Sequence, residues 1–298
     1  MNMVALLTAA LVIATPLVWA GIGELLVERT GILNLGIEGT MVLGAFVGFV
    51  VAHDTGSPML GLAAAAGAGV VAGLLLGIFV VTLGLNQHVS GLALTLLLIA
   101  GCEFAFRVGY GEGERPRLAQ PFTVWFDGAS VLEQHWLTYV AFLVLAPAAW
   151  WVLRSTGFGL RLHAVGESFE AADVAGIHVN RTRYLALGVG SALMAVGGSF
   201  LTLAVLGSYT LDIVNGRGWV CIALVIFAQW RVWPVVGGAL IFALTDALQL
   251  QLAITTTFSE VPREVMLALP YLAVIAALAI WGKSVRYPAS YLKAHRRG

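Results

Sequence analysis

Residues Met59–Gly84 read MLGLAAAAGAGVVAGLLLGIFVVTLG, an unbroken apolar run without one charged side chain. A helix needs about 20 apolar residues to cross the hydrocarbon of a bilayer, and this run supplies them. Gly69, Gly73 and Gly77 repeat every fourth position within it. Such a small-residue stripe lets a second helix approach closely, and helix packing is all that it requires. Working outward, comparable runs occupy 4–23, 31–52, 89–108, 136–153, 182–206, 218–230, 234–252 and 265–282. The sequence therefore predicts an all-α polytopic membrane protein of about nine transmembrane helices, with eight and ten as the bounds. The run 218–230 is too short to cross as a simple helix, so it is expected to be broken, re-entrant or extended into Gly216 and Arg217. No linker or low-complexity stretch interrupts residues 1–298, which fits a single membrane domain.

Composition points the same way. Hydrophobic residues make up 59% of the 298-residue chain and charged residues 11%, against about 25% charged in ordinary soluble domains. The mean hydropathy is +0.91. A chain this apolar has too little polar surface to cover itself in water. Zero formal net charge gives no footprint for nucleic acid. Cys102 and Cys221 both lie in apolar runs, so a disulfide framework or metal site is not expected. His53, His88, His135, His163, His178 and His295 are scattered, mostly at loops. Met1–Ala20 ends in Val18-Trp19-Ala20, which resembles a cleavage site, but no Lys or Arg precedes Arg29. Without a basic n-region, this stretch reads as a retained first span.

Cytoplasmic loops of membrane proteins are enriched in Lys and Arg. The tail carries Lys283, Arg286, Lys293, Arg296 and Arg297 and no acid, so it is expected in the cytoplasm. Threading back through nine spans places the N-terminus outside. It gathers Arg29, Arg154, Arg161, Arg181, Arg183 and Arg231 on the side of the tail, and leaves Arg107, Arg115, Arg117, Arg217 and Arg263 outside. The external loop 109–135 is mixed in charge, with Glu112, Glu114, Arg115, Arg117, Asp127 and Glu133. It reads either as a solvated connection or as part of a docking surface for an external binding protein. Its Trp125, Phe126 and Trp136 suit interfacial anchoring.

The internal segment 154–181 is the informative one. Ser168 is placed to cap a short helix, with Glu170 and Asp173 near its positive N-terminal end and Gly176 to stop it. The result is a short amphipathic helix between two long spans, too short to stand alone. It needs a body to pack against, and a soluble partner pressing on it would move the adjoining spans.

Gly157–Ile177 resembles the cytoplasmic coupling motif of the permeases of ABC importers for simple sugars and nucleosides. Glu28-Arg-Thr-Gly31-Ile-Leu-Asn34-Leu-Gly36-Ile-Glu38-Gly39-Thr-Met-Val-Leu-Gly44-Ala45 is similar to the N-terminal signature of that family. Asn215-Gly216-Arg217-Gly218-Trp219, followed by Ile222-Ala223, is a third match. The three stand in the family's order across residues 20–250, and branched-chain amino-acid permeases are similar at greater distance. Trp230-Arg-Val-Trp233-Pro234 and the charged stretch Glu112–Arg117 depart from the pattern.

The resemblance implies that Gly157, Gly159, Arg161, Val165, Gly166, Glu167, Glu170, Ala171, Ala172 and Gly176 couple the chain to an ATPase. It implies a second permease subunit, homologous or identical, two ABC ATPase subunits, an extracytoplasmic substrate-binding protein and a bacterial inner membrane. It also implies no cofactor on this chain, with ATP and Mg2+ held by the partner ATPase. The residues agree that no ATP is hydrolysed here: Gly282-Lys283-Ser284 has Ala277 where a phosphate loop needs its first glycine.

Gly36-Ile-Glu38-Gly39 opens the second run and Gly216-Arg217-Gly218 the seventh. Each is followed by a turn with Pro58 or Pro234 and then a Gly-rich span. Opposite directions in the membrane would make them inverted repeats, and chance similarity between apolar segments is the rival reading. Polar groups inside spans need a partner or a wet cavity. Asn34, Glu38, Asn86, Gln87, Asn215, Arg217, Asp246 and Gln249 are therefore candidates for the translocation path. Amides and carboxylates together offer the donors and acceptors that a hydroxyl-bearing solute such as a nucleoside or sugar requires.

Interhelical packing competes with that reading at several of these positions. Asn86 and Gln87 lie at a turn, Glu38 is within reach of Arg29, and Asp246 and Gln249 share a helix face. Glu103 and Arg107 read as a structural i,i+4 pair. An ion-coupled secondary transporter using Asp246, and a branched-chain amino-acid ABC permease, stand as alternatives. The first leaves 157–177 without a purpose.

Overall fold

The computed structural model describes residues 3–111, 116–126, 131–254, 268–272, 275–276 and 288–291. The elements are α1 (Met3–Glu28), α2 (Ile37–Thr55), α3 (Pro58–Gly77), α4 (Gln87–Tyr110), α5 (Trp136–Tyr139), α6 (Ala146–Ser155), α7 (Gly157–Glu167), α8 (Phe169–Val174), α9 (Val179–Phe200), α10 (Arg217–Phe227) and α11 (Val232–Ile254). Widened helical turns at Ile78–Thr82 and Leu201–Leu206 prolong α3 and α9, and another at Val140–Leu145 joins α5 to α6. Among the described residues there is no strand, only a bridge between Val124 and His135. Among the described residues, seven stretches are long and apolar enough to cross a membrane: Met3–Glu28, Ile37–Thr55, Pro58–Thr82, Gln87–Tyr110, Trp136–Ser155, Val179–Leu206 and Val232–Leu252. The predicted run 265–282 falls largely outside the described residues. So do the basic residues of the tail, and Glu112, Glu114, Arg115, Asp127 and Arg263.

The first run is longer than its apolar stretch suggests. Helix α1 continues through Glu24 to Glu28 and buries both acids, where the sequence placed a loop from 24 to 30. The helix goes on because the carboxylates find donors. Glu24 Oε1 accepts from the Asn34 amide at 3.2 Å, and Glu28 Oε2 from Trp230 Nε1 at 2.6 Å. The second run starts later than predicted, at Ile37, because residues 31–36 form an irregular turn that folds back along α1.

Helix α9 is the central strut and packs on α1, α2 and α3. Glycine sets these spacings. A Cβ at Gly198 would sit 2.6 Å from the Met41 carbonyl carbon, and one at Gly69 would sit 2.9 Å from the Ala192 Cα. At Gly73 it would lie 2.9 Å from the Leu187 carbonyl carbon, so the predicted glycine stripe is the seam between α3 and α9. Without a hydrophobic drive between helices in lipid, close backbone contact carries much of the association. Gly198→Ala should therefore destabilise the purified protein by about 1–3 kcal/mol, the usual cost of overpacking. Gly67→Ala, which faces open space, should not. Thermal unfolding in detergent checks both.

The run 218–230 is a half-length helix. Helix α10 has 11 residues, about 16 Å at 1.5 Å per residue, roughly half a bilayer core. Cys221 Sγ lies 3.7 Å from the Leu17 carbonyl oxygen near the middle of α1, and Trp230 meets Glu28 at the end of α1. Helix α10 thus starts halfway along α1 and descends beside its second half. Gln229 and Trp230 then take left-handed conformations, φ 51° and 55°, and the chain reverses into α11. That helix returns along α1, with Val235 against Gly21 and Ala247 against Ala10.

Candidate functional site

The buried start of α10 is the first feature. A helix that begins inside a bilayer exposes unpaired amides where no water reaches them. Here Glu38, at the start of α2, supplies the acceptors. Its Oε1 takes the Gly216 N–H and its Oε2 the Gly218 N–H, each at 2.7 Å. The negative charge also sits at the positive end of the α10 dipole. Gly218 is required for the approach, because a Cβ there would fall 2.6 Å from Glu38 Oε2 and 2.7 Å from its Cα. Gly216 is left-handed, φ 79°, as is Asn215 before it, φ 49°.

The two motifs singled out in the sequence, Gly36–Gly39 and Gly216–Gly218, therefore meet in space. Helix α2 leads away from this junction toward one end of the bundle and α10 toward the other. Glu38 does not pair with Arg29. The Arg29 guanidinium instead donates to the Trp230 carbonyl, from Nε at 3.0 Å and Nη2 at 2.5 Å.

Around the junction lie Arg217, Asp246 and Tyr271. Arg217 Nη2 is 4.0 Å from Asp246 Oδ2, and both side chains are partly open. Arg217 Nη1 also donates to the carbonyls of Ile213 and Val214, at 3.3 and 3.4 Å. The Tyr271 hydroxyl donates to the Asn215 carbonyl at 3.0 Å, and the Asn215 side chain is exposed. Gln249 is buried one turn beyond Asp246.

The other polar candidates shape the turns. Asn34 Oδ1 accepts the Gly36 N–H at 2.9 Å. Asn86 Oδ1 caps α4 by accepting from His88 and Val89, at 3.0 and 3.2 Å. Gln87 Oε1 accepts the Leu33 N–H at 2.9 Å. Glu103 and Arg107 do not come within the 4.0 Å of an ion pair; with one half-buried and the other exposed, neither needs the other.

At the end of the bundle where α1 finishes, segment 154–181 forms an elbow of two helices, where a single short helix was predicted. Thr156 caps α7 by accepting the Gly159 N–H at 3.2 Å, and Ser168 caps α8 by accepting the Ala171 N–H at 3.2 Å. Gly176 closes α8 in a left-handed turn, φ 80°. The first cap, Ser155-Thr156-Gly157, is a local signal of the same kind as Ser168.

The elbow has an inner and an outer face. Gly159, Val165, Gly166 and Ala172 are buried. Val165, Phe169, Ala172 and Val179 form a small core of their own, and the Arg183 guanidinium lies 4.0 Å from the Phe169 ring centroid. Arg183 Nε donates to the Thr30 carbonyl at 3.4 Å, which ties α9 to the end of α1. Gly166 presses on the Arg29 carbonyl, and its own carbonyl accepts from Ser290 N at 2.8 Å. The outer face carries Gly157, Arg161, Glu167, Glu170, Ala171 and Gly176, together with Leu160 and Val174, the latter 91% exposed. Burial lowers the Arg29 guanidinium from its ordinary pKa, and the nearby Glu167 carboxylate opposes that shift.

Among the described residues the elbow is thus anchored to the end of α1, to α6 and to α9, with its outer face exposed. A family model described as "Branched-chain amino acid transport system / permease component" matches residues 6–278. The chain belongs to this permease family. Among relatives of the permease, TsgC13 of Haloferax volcanii, provisionally named a glucose ABC transporter permease protein, is 37% identical over 83% of this chain and 77% of its own. The nucleoside ABC transporter permease protein NupC of Lactococcus lactis subsp. cremoris is 30% identical over 95% of both chains. The guanosine ABC transporter permease protein NupQ of Bacillus subtilis is 29% identical over 91% of this chain and 89% of its own. No solved structure matches the permease.

Sequence reading missed four residues of these sites. Glu24, Glu28, Trp230 and Arg183 are all buried and join the ends of α1, α9 and α10. The signal for the two acids was their four-residue spacing, which places them on one face of a helix continued from the first apolar run.

Proposed function

We propose that the permease forms the translocation path of an ATP-driven importer for a small polar solute, a nucleoside or simple sugar. The observation that carries this reading is the α7–α8 elbow, anchored through Gly166 to Arg29 and Ser290 and bare on its outer face. Two separate ATPase subunits, which hold the ATP and Mg2+, dock on that face. The elbow passes their closure to α1 and α9. The names of the nucleoside and sugar relatives support the solute class, and the mixed donors and acceptors around Asn215, Arg217 and Asp246 suit hydroxyl groups.

These residues are partly or fully open, so a second permease chain completes the path beside them. Asn34, Glu38, Asn86 and Gln87 hold its turns in shape. An extracytoplasmic binding protein delivers the solute, the α2 and α10 units act as inverted repeats, and the chain sits in a bacterial inner membrane with the elbow and tail cytoplasmic. The basic residues gathered at the elbow end support that orientation.

The test is uptake of a labelled nucleoside or sugar into proteoliposomes carrying the permease with its ATPase and binding protein. Uptake should require ATP on the elbow side and persist when a protonophore collapses the proton gradient. Uptake driven by an ion gradient without nucleotide would reject the reading in favour of a secondary transporter.

A further inference from the structure

We propose that the cleft between α6, α7 and the α10–α11 turn binds a phosphate-bearing anion, either a lipid headgroup or a free phosphate compound. The cleft is open on one side and has a volume of about 280 Å³, ample for a phosphate group. Arg29, Arg154, Arg231 and His163 line it, Trp150 and Trp233 wall it, and no acid is among its lining residues. Guanidinium forks match phosphate oxygens two at a time.

Two of these forks are already held in place. Arg29 is fixed by its two bonds to the Trp230 carbonyl, which leave three of its five N–H donors for other acceptors. Arg154 is held over the Trp150 ring, 5.4 Å from the centroid. His163 Nδ1 is 2.8 Å from the Gly159 carbonyl, which orients the ring and leaves Nε2. Burial and the Arg29 charge both lower the His163 pKa, and Glu167 opposes them from outside the cleft. An anion among these groups would offset the mutual repulsion of the cations. The indoles of Trp150 and Trp233 in the cleft wall are themselves exposed. Such aromatics gather at the membrane interface, the depth at which anionic headgroups lie. The inference is independent of the transported solute.

The test uses the full chain purified in detergent and reconstituted in nanodiscs of phosphatidylglycerol or phosphatidylcholine. Native mass spectrometry counts the lipid retained. Wild type should keep phosphatidylglycerol in preference. R154Q/R231Q should lose that preference by roughly fivefold for each guanidinium removed, and R154K/R231K, which keeps the charges but not the forks, should fall between. In a second arm, inorganic phosphate and glycerol 3-phosphate are titrated against tryptophan fluorescence without lipid. A saturable response lost in R154Q/R231Q, with no lipid preference, would identify a free phosphate compound as the occupant. The proposal fails if wild type shows neither effect, or if R154Q/R231Q matches wild type in both.

Discussion

Replacing Gly166 with valine should abolish uptake while leaving the protein in the membrane at normal abundance. Gly166 is the point where α7 touches the end of α1. A Cβ there runs into the Arg29 carbonyl oxygen and touches Pro288 Cβ at 3.6 Å. The clash is with backbone, which cannot swing aside as a flexible side chain would, so the elbow must shift. Overpacking of this kind costs about 1–3 kcal/mol. In this place the strain falls on the contact that transmits force. It also threatens the hydrogen bond from Ser290 N to the Gly166 carbonyl, 2.8 Å long. Gly166→Ala should show a smaller loss in the same direction. Glu167→Lys should also abolish uptake, because it sets a cation beside Arg29, whose charge Glu167 favours. ATP-driven uptake, normalised to membrane abundance, is the measurement. Wild-type rates in Gly166→Val with normal ATPase coupling would remove the elbow from the mechanism.

Replacing Glu38 with alanine should be the most destabilising single change in the membrane interior. Two amides at the head of α10, those of Gly216 and Gly218, lose the carboxylate oxygens that accept from them, and hydrogen bonds to a charged group are worth about 1.5–3 kcal/mol each. The combined loss is about 3–6 kcal/mol, since lipid offers no replacement. The start of α10 should fray, and Arg217 beside Asp246 should move with it. Glu38→Gln keeps one good acceptor oxygen and should fall between. Thermal unfolding of the purified protein, read together with uptake, separates the three. An alanine variant as stable as wild type would mean that the α10 amides are satisfied in another way, and the junction described above would be wrong.

The sequence by itself determined that the chain lives in a bilayer, because runs such as Met59–Gly84 leave water no foothold. It also located the elbow, since Ser168 and Gly176 are local signals whose meaning depends on neighbours only a few residues away. The glycine stripe at 69, 73 and 77 could be read as packing, but its partner could not, because nothing in the sequence names the helix that fills a groove. Tertiary structure alone decided that Glu38 serves the α10 amides and leaves Arg29 to Trp230. It alone turned Glu24 and Glu28 from loop acids into buried links with Asn34 and Trp230. Those partners stand 10 and about 200 positions away along the chain, and a buried carboxylate is tolerated only where donors converge on it, a condition that no local pattern records.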